Sequence, residues 1–248
     1  MVVVEAGGAE GAIEARPMIA PYFNANRVKT VSLYVAWLDV MGSRLTMTRS
    51  LAASANFVGK LHASAIANAP SALSLCPMND GLFAVADDIF QLKDFLRGCA
   101  YSVEAANAKA REIDQVFLTR AGIAFGQVLE GKNTAGASPA LDSKVGIRDA
   151  ILLGPPVVQA FEAEVNASPF GVYVHESART FATAPHKSWS QGAYMRYWSR
   201  GEKPSEVLAI EQRVTDYLEY CSRHSLELGY PEDRIARHRQ LAAEYFDY

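Results

Sequence analysis

One segment constrains the fold of this chain more than any other, an almost unbroken apolar run that begins at Thr30 and ends in an acid. The run reads TVSLYVAWLD, and its β-branched and aromatic residues predict a strand that is buried on both faces. Asp39 ends the run, and the VMGSR that follows it is typical of a turn. The stretch from 45 to 67 then predicts an amphipathic helix that leads away from this turn.

A second acid stands between two short apolar runs. The runs read SALSLCP and GLFAVAD, with Met78, Asn79 and Asp80 between them and Gly81 next, which predicts a β-hairpin. The later segments are predicted in this order: a helix over 87–113, a strand FLTRAGIAFGQVLEG, a loop KNTAGASPALDSK, a strand VGIRDAILL, a helix from PPVVQAFEAEV, and strands FGVYVHESA and GAYMRYWSR. Two helical stretches that break near Gly229 complete the chain.

The mixed order of strands, helices and a hairpin favours the α+β class, a sheet with helices on one face, over a doubly wound parallel sheet. We expect three segments along the chain. Residues 1–27 are rich in Gly, Ala and Glu and predict a flexible N-terminal arm. Residues 28–200 form the main domain, and 201–248 form a C-terminal helical extension.

Composition excludes several classes of function. The net charge of -3 provides no broad basic field for nucleic acid. No apolar run reaches the roughly 18 residues of a membrane helix, and acids stand where a secretion signal would carry bases, so we expect a cytoplasmic protein. The three cysteines are far apart and predict neither a disulfide framework nor a zinc site.

Asp39 and Asp80 are the candidate metal ligands. Each follows a predicted strand or stands at a hairpin tip, so both can reach one edge of a sheet. A pair of hard oxygen ligands suits Mg²⁺ or Mn²⁺, whose remaining positions substrate phosphates fill. Gly42 would let the backbone approach those phosphates. Two simpler readings stay open: Asp39 caps the following helix, and Asp80 is only a turn residue.

Five segments together resemble, in order and spacing, the catalytic domain of class III adenylyl and guanylyl cyclases. They read LYVAWLDVMGSR, NDGLFAV, RAGIAFGQVLEG, LLGPPVVQAFEAE and GVYVHESA. Within that family the chain looks most like the stand-alone pyrimidine cyclases of bacterial Pycsar anti-phage defence. The resemblance implies that 28–200 is a cyclase domain with a ferredoxin-like or palm-type mixed sheet and helices packed on it.

The resemblance also implies a site. It makes Asp39 and Asp80 the ligands of two divalent ions, Mg²⁺ or Mn²⁺, with the backbone carbonyl of Val40 as a further ligand. Met41, Gly42 and Ser43 become the turn that binds the triphosphate. The ribose 3′-hydroxyl would attack the α-phosphorus of the nucleoside triphosphate and release pyrophosphate. The expected assembly is a homodimer with its sites at the interface.

This chain departs from the family at two pairs of positions. Cys76 and Ile151 stand where purine cyclases carry base-reading residues, so we expect a pyrimidine substrate, UTP ahead of CTP. Val158 and Glu162 stand where the family carries an asparagine and a transition-state arginine. Arg44 is then our candidate for the catalytic cation, ahead of Arg148 and Arg97. The alternative is a catalytically silent, cyclase-like dimer that binds a nucleotide or a partner protein.

Overall fold

A computed structural model describes residues 22–42, 50–180, 194–195 and 204–246. The strands are β1 Val31–Val40, β2 Ser74–Met78, β3 Gly81–Ala86, β4 Thr119–Glu130, β5 Leu152–Leu153, β6 Val172–Val174 and β7 Tyr194–Met195. The α-helices are α1 Leu51–Asn68, α2 Ile89–Ala108, α3 Pro139–Asp142, α4 Val145–Asp149, α5 Pro155–Glu164, α6 Glu176–Thr180, α7 Pro204–Arg223, α8 Ser225–Leu228 and α9 Glu232–Phe246. Short 3₁₀ turns lie at Ala25–Arg27, Ile113–Gln115 and Gly131–Thr134.

The strands form one mixed sheet in the order β2-β3-β1-β4-β6-β7, and β5 pairs with β4. β1 is central and pairs antiparallel with both β3 and β4, whereas β6 runs parallel to β4. A mainly antiparallel sheet that carries helices is the α+β arrangement. The predicted fold class, a mixed sheet with helices packed on it, is confirmed.

Side-chain alternation along β1 divides the core between the two faces of the sheet. Tyr34, Ala36 and Leu38 point into the larger cluster, which α1 and α2 cover. Val35 and Trp37 point into a second cluster, which includes Ala160 of α5. The expectation of helices on one face only was therefore wrong. A strand that is apolar at successive positions needs cover on both faces, and α5 provides the second layer.

The C-terminal helices pack on the same core as α1 and α2. Val214 and Leu218 of α7, with Ala242 and Tyr245 of α9, belong to the larger cluster. The predicted break lies at Gly229, which has a left-handed φ of 52° and ends α8. The limit of the extension at 201 stays a prediction. Most of the predicted N-terminal arm, residues 1–21, lies outside the described part of the chain.

Two local predictions between β4 and α5 were wrong. The segment VGIRDAILL forms α4 and then a strand of only two residues, Leu152–Leu153. The preceding loop contains the helix α3, which has a proline in its first turn. Arg148 of α4 binds Asp142 and Asp149, and these short-range ion pairs favour the compact helical turns over an extended strand. None of the described helices has the combined length and apolarity that crossing a bilayer requires.

Candidate functional site

Asp39 lies near the end of β1, on the face of the sheet that α5 covers. It follows Val35 and Trp37 in the two-residue alternation of the strand, and both of those side chains face α5. Across the antiparallel ladder Asp39 is paired with Arg120 of β4. Arg120 shares the face of Ala124, so the carboxylate and the guanidinium lie on the same side of the sheet.

Asp80 reaches this position through the hairpin between β2 and β3. Met78 pairs with Gly81, so Asn79 and Asp80 form the two-residue loop. Asn79 has a φ of 50°, a left-handed conformation that asparagine tolerates. A Cβ at Gly81 would lie 2.6 Å from both the Leu38 carbonyl oxygen and the Trp37 ring. The absence of a side chain at Gly81 thus allows the hairpin tip to lie directly against the end of β1.

The two predicted metal ligands interact electrostatically. The pKa of Asp39 is raised to about 7, mainly by burial and further by the negative charges of Glu164 and Asp80. The Arg120 guanidinium and a hydrogen bond from the backbone amide of Val40 act in the opposite direction. The structure therefore places Asp39 within electrostatic reach of Asp80, Glu164 and Arg120, and the metal-binding role of Asp39 and Asp80 stays a prediction.

Glu164 is the last residue of α5 and forms a buried ion pair with Arg120. Burial raises the pKa of Glu164, and the Arg120 guanidinium opposes that rise. The helix can approach because Gly122 of β4 has no side chain. A Cβ there would lie 2.1 Å from the Ala160 carbonyl oxygen and 2.7 Å from the Glu164 amide nitrogen. Sequence reasoning assigned Glu164 no role, since the pair forms only when α5 crosses β4.

The oxygen ligands at this site fit hard divalent cations whose remaining ligands come from a substrate. Within the described ranges no group of three or more His, Cys, Asp or Glu side chains is arranged to hold a metal alone. Asp39 and Asp80 supply two carboxylates, and Mg²⁺ sites use one or two carboxylates together with phosphate oxygens and water. A cation there would also offset the repulsion among Asp39, Asp80 and Glu164.

The predicted triphosphate turn is described only in part. Met41 is buried in the larger core cluster, and its amide donates to the Leu118 carbonyl at 2.8 Å. Gly42 is exposed, has a φ of 75°, and has open space where a side chain would stand. Ser43 and Arg44 lie outside the described residues, and their predicted roles stay predictions.

The two predicted base-pocket positions, Cys76 and Ile151, each interact with residues at or just after the end of β4. Cys76 of β2 is half-buried, and burial and the Glu130 carboxylate raise the pKa of its thiol while Lys132 lowers it. The Ile151 carbonyl accepts a hydrogen bond of 2.7 Å from the amide of Gly131, which follows Glu130. The Lys132 ammonium lies 2.8 Å from Glu130 and 3.0 Å from the Ser74 hydroxyl. Sequence reasoning assigned no role to Glu130, at the end of a predicted strand, or to Lys132, at the start of a predicted loop.

The other cationic candidates do not reach Asp39. Arg148 is engaged by Asp142 and Asp149, at 3.2 and 2.9 Å. Arg97 belongs to α2, which covers the opposite face of the sheet. Val158 and Glu162, which replace the asparagine and arginine of the resembling family, are both exposed on α5. The described part of α5 therefore contributes a carboxylate, Glu164, and no cation to the site.

Solved nucleotidyl cyclases are similar to this chain in fold. A bacterial light-regulated adenylyl cyclase has a TM-score of 0.51 and 12% identity, over 67% of this chain and 48% of that one. An adenylate/guanylate cyclase/hydrolase from Silicibacter pomeroyi has a TM-score of 0.44 and 19% identity, over 62% of this chain and 80% of that one. An adenylyl cyclase from P. aeruginosa has a TM-score of 0.42 and 13% identity, over 62% and 81% respectively.

This chain spans about half the length of the light-regulated enzyme. No protein-family profile and no curated protein matches its sequence. The likeness to the light-regulated enzyme shows that the chain has the fold of a nucleotidyl cyclase domain.

Proposed function

We propose that this protein is a metal-dependent nucleotidyl cyclase that converts a pyrimidine nucleoside triphosphate into a 3′,5′-cyclic nucleotide and pyrophosphate. The observation that supports the proposal is the electrostatic interaction between Asp39, near the end of β1, and Asp80, at the tip of the β2–β3 hairpin. The shared cyclase fold supports the reaction class. The resemblance to Pycsar cyclases adds a role in anti-phage defence to the proposal.

In this mechanism Asp39, Asp80 and the Val40 carbonyl hold two Mg²⁺ or Mn²⁺ ions. When bound, such ions favour deprotonation of the ribose 3′-hydroxyl and offset the charge of the phosphates. The ionised form of Asp39 is the metal ligand, and burial without a cation disfavours that form. Arg120, opposite Asp39 in the ladder, favours that ionised form.

The proposed pyrimidine specificity depends on the surroundings of Cys76. Neither Cys76 nor Ile151 has the charged group that reads a purine in the resembling family. Lys132 and Glu130, beside Cys76, offer a donor and an acceptor to the polar edge of a smaller base. The lysine can donate to a carbonyl oxygen of uracil, and the carboxylate can accept from its N3–H. We propose UTP ahead of CTP on this basis.

We also propose a homodimer in which α5 contributes to the interface. Val158 and Phe161 of α5 and Val165, which caps its C-terminal end, recur at helical spacing, and each is more than half exposed. Leu153 of the neighbouring strand β5 is equally exposed. Apolar side chains clustered on one side of a helix are typical of a contact surface.

A catalytically silent, nucleotide-binding dimer is the second candidate. The observation that favours it is the exposure of Val158 and Glu162 at the two α5 positions where the resembling family carries catalytic side chains. The same fold and the same carboxylate pair would then serve to bind a nucleotide without turning it over. A product assay separates the two functions.

The experiment is to incubate the purified chain with ATP, GTP, CTP and UTP separately in the presence of Mn²⁺ and to detect cyclic products by mass spectrometry. We expect a cyclic pyrimidine nucleotide. Asp39→Asn and Asp80→Asn should each lower its rate at least about a thousandfold, because each removes a metal-binding carboxylate. Asp94→Asn is the matched control, since Asp94 is exposed on α2, over the opposite face of the sheet.

Product from ATP or GTP alone would contradict the pyrimidine assignment. Binding of a nucleotide without any cyclic product would favour the silent dimer.

A further inference from the structure

A small cavity lies between the turn that follows β1 and the C-terminal helices. Its volume is about 50 Å³, which is room for a few water molecules or one phosphoryl group. Met41 and Gly42 line one side, and Arg120 connects the cavity to Asp39, its partner in the β1–β4 ladder. The opposite side is formed by residues from α7 to α9, among them Tyr230, Arg234 and His238. The cavity therefore shares one residue, Arg120, with the candidate metal site.

The polar groups around this cavity are mainly hydrogen-bond donors. Arg120 and Arg234 line the cavity, and no carboxylate is among the described residues that line it. The Arg120 guanidinium is already bound to Glu164 in a buried ion pair. Arg234 is an exposed residue in the first turn of α9. Its positive charge also lowers the pKa of Glu164, the partner of Arg120.

A chain of hydrogen bonds orients a further donor toward the cavity. Nη1 of Arg120 lies 3.4 Å from Nε2 of His238, and an arginine can only donate, so Nε2 accepts. Burial and the neighbouring arginines lower the pKa of His238 to about 3, so the ring is neutral and carries its proton on Nδ1. Nδ1 is hydrogen-bonded to the Tyr230 hydroxyl oxygen, and because it carries the proton it is the donor. The Tyr230 hydroxyl keeps its own proton for another acceptor at the cavity.

We propose that Arg234 and the Tyr230 hydroxyl bind a phosphoryl group of the substrate in this cavity, beside Gly42. The C-terminal extension thereby supplies in the same chain a positive charge that α5 lacks. A phosphate fits because its oxygens only accept hydrogen bonds and favour a guanidinium as partner. The identity of the ligand as a nucleoside triphosphate rests on the proposed function. The location of the anion site rests on the cavity and its donors alone.

Calorimetric titration of the full chain with inorganic tripolyphosphate, and separately with UTP, tests the assignment. We expect Arg234→Gln to weaken the binding of both probes about 10- to 100-fold, the loss typical of a charge-assisted hydrogen bond. Arg234→Lys should restore part of the affinity. Tyr230→Phe should weaken binding by a smaller factor while keeping the ring that packs with Cys221 and Ile235.

Arg237→Gln is the matched control. It makes the same change on the same helix, but Arg237 is exposed, donates to Gln240 and does not line the cavity. The affinity of the Arg237→Gln variant for both probes should stay within about twofold of that of the unmodified chain. Equal losses in Arg234→Gln and Arg237→Gln would overturn the proposal, because they would indicate only a general effect of charge. Failure of the unmodified chain to bind tripolyphosphate would overturn it as well.

The proposed function fails by a different result. If tripolyphosphate binding depends on Arg234 but no cyclic nucleotide forms from any triphosphate, the anion site stands and the cyclase assignment does not. If cyclic product forms and Arg234→Gln binds both probes normally, the cyclase assignment stands and the role of Arg234 does not.

Discussion

At the scale of single residues, a substitution at Lys132 distinguishes the base end of the proposed substrate site from its phosphate end. It lies beside Cys76 and Glu130, at the base end, whereas Arg234 lies at the phosphate end. Lys132→Met should therefore weaken the binding of UTP about tenfold and leave the binding of inorganic tripolyphosphate unchanged, because only UTP carries a base for the ammonium to contact. Calorimetric titration with both ligands measures this difference.

Lys144→Met serves as the control for Lys132→Met. Lys144 is an exposed lysine that precedes α4, so the same charge is removed from the same connection between β4 and β5. A parallel loss of tripolyphosphate binding in Lys132→Met would remove Lys132 from the base end. An unchanged UTP affinity would do so too.

The approach of α5 to β4 is the contact between elements on which the site depends most directly. Gly122 permits it, since a Cβ at this position would lie 2.1 Å from the backbone oxygen of Ala160. Gly122→Ala should lower the free energy of unfolding by about 2–4 kcal/mol, because backbone atoms and not a flexible side chain must move. It should also displace Glu164 from Arg120. Urea unfolding measures the stability.

Gly59→Ala on α1 is the corresponding control. No atom lies within 4 Å of the Cβ position at Gly59, which is in a helix. That change should raise the stability by about 0.5–1 kcal/mol, the usual preference of a helix for alanine. A Gly122→Ala protein as stable as the unmodified chain would contradict the close packing of α5 on β4.

The elements that could be predicted from the sequence are those whose local pattern agrees with their tertiary surroundings. β1, the β2–β3 hairpin and α5 fall in this group, because apolar runs, turn residues and an initial Pro-Pro pair specify them locally. The expectation that Asp39 and Asp80 reach the same edge of the sheet rested on the same patterns. The segment before α5 was predicted wrongly because ion pairs of Arg148 with Asp142 and Asp149 favour helical turns that the apolar content of the segment does not reveal.

The missed site residues depend on contacts between distant segments. Arg120 and Glu164 meet only because α5 crosses the face of β4, and His238 joins them from the C-terminal end of the chain. No local pattern marks such a cluster, since a single arginine in a strand or a single glutamate at a helix end is common. The contribution of the C-terminal helices to the site was therefore beyond sequence reasoning, although the helices themselves were predicted.

At the scale of the whole molecule, Glu104 couples the cyclase-like core to the C-terminal helices. It is buried on α2, and its pKa is raised to about 8 because burial outweighs the opposing effects of a hydrogen bond with Asn107 and the charge of Arg213 on α7. A carboxyl whose pKa is higher in the folded state stabilises the protein fully below its unfolded pKa of 4.5. That stabilisation is lost progressively as the pH rises from 4.5 to about 8, and the loss is complete above the folded pKa.

Glu104→Gln should remove this pH dependence. We expect it to be more stable than the unmodified chain by about 2–4 kcal/mol at pH 9, where the carboxyl must ionise in a buried place, and nearly equal at pH 5. Thermal unfolding at several pH values measures the difference. A stability difference that stays constant between pH 5 and pH 9 would show that Glu104 does not titrate in this range.

The assembly of two copies is the second prediction at this scale. Val158 is 56% exposed on the apolar side of α5. Val158→Asp should convert the proposed homodimer to a monomer, since it places a charge that would be desolvated at the contact. Light scattering coupled to gel filtration measures the mass. Leu226→Asp is the control, because Leu226 is 95% exposed on a different helix, α8, and this change should leave the mass unchanged. A Val158→Asp protein with the mass of the unmodified chain would contradict an interface at α5.

Asp80 owes its place to the register of the β2–β3 hairpin against β1, in which Leu82 opposes Leu38. The helix α1 lies between the two carboxylates in sequence but does not determine where they meet. A designer could therefore exchange α1 for another helix that fills the same core positions and keep the pair intact. A single residue inserted between Gly81 and Ala86 would instead turn the side chains beyond it to the wrong side of the sheet.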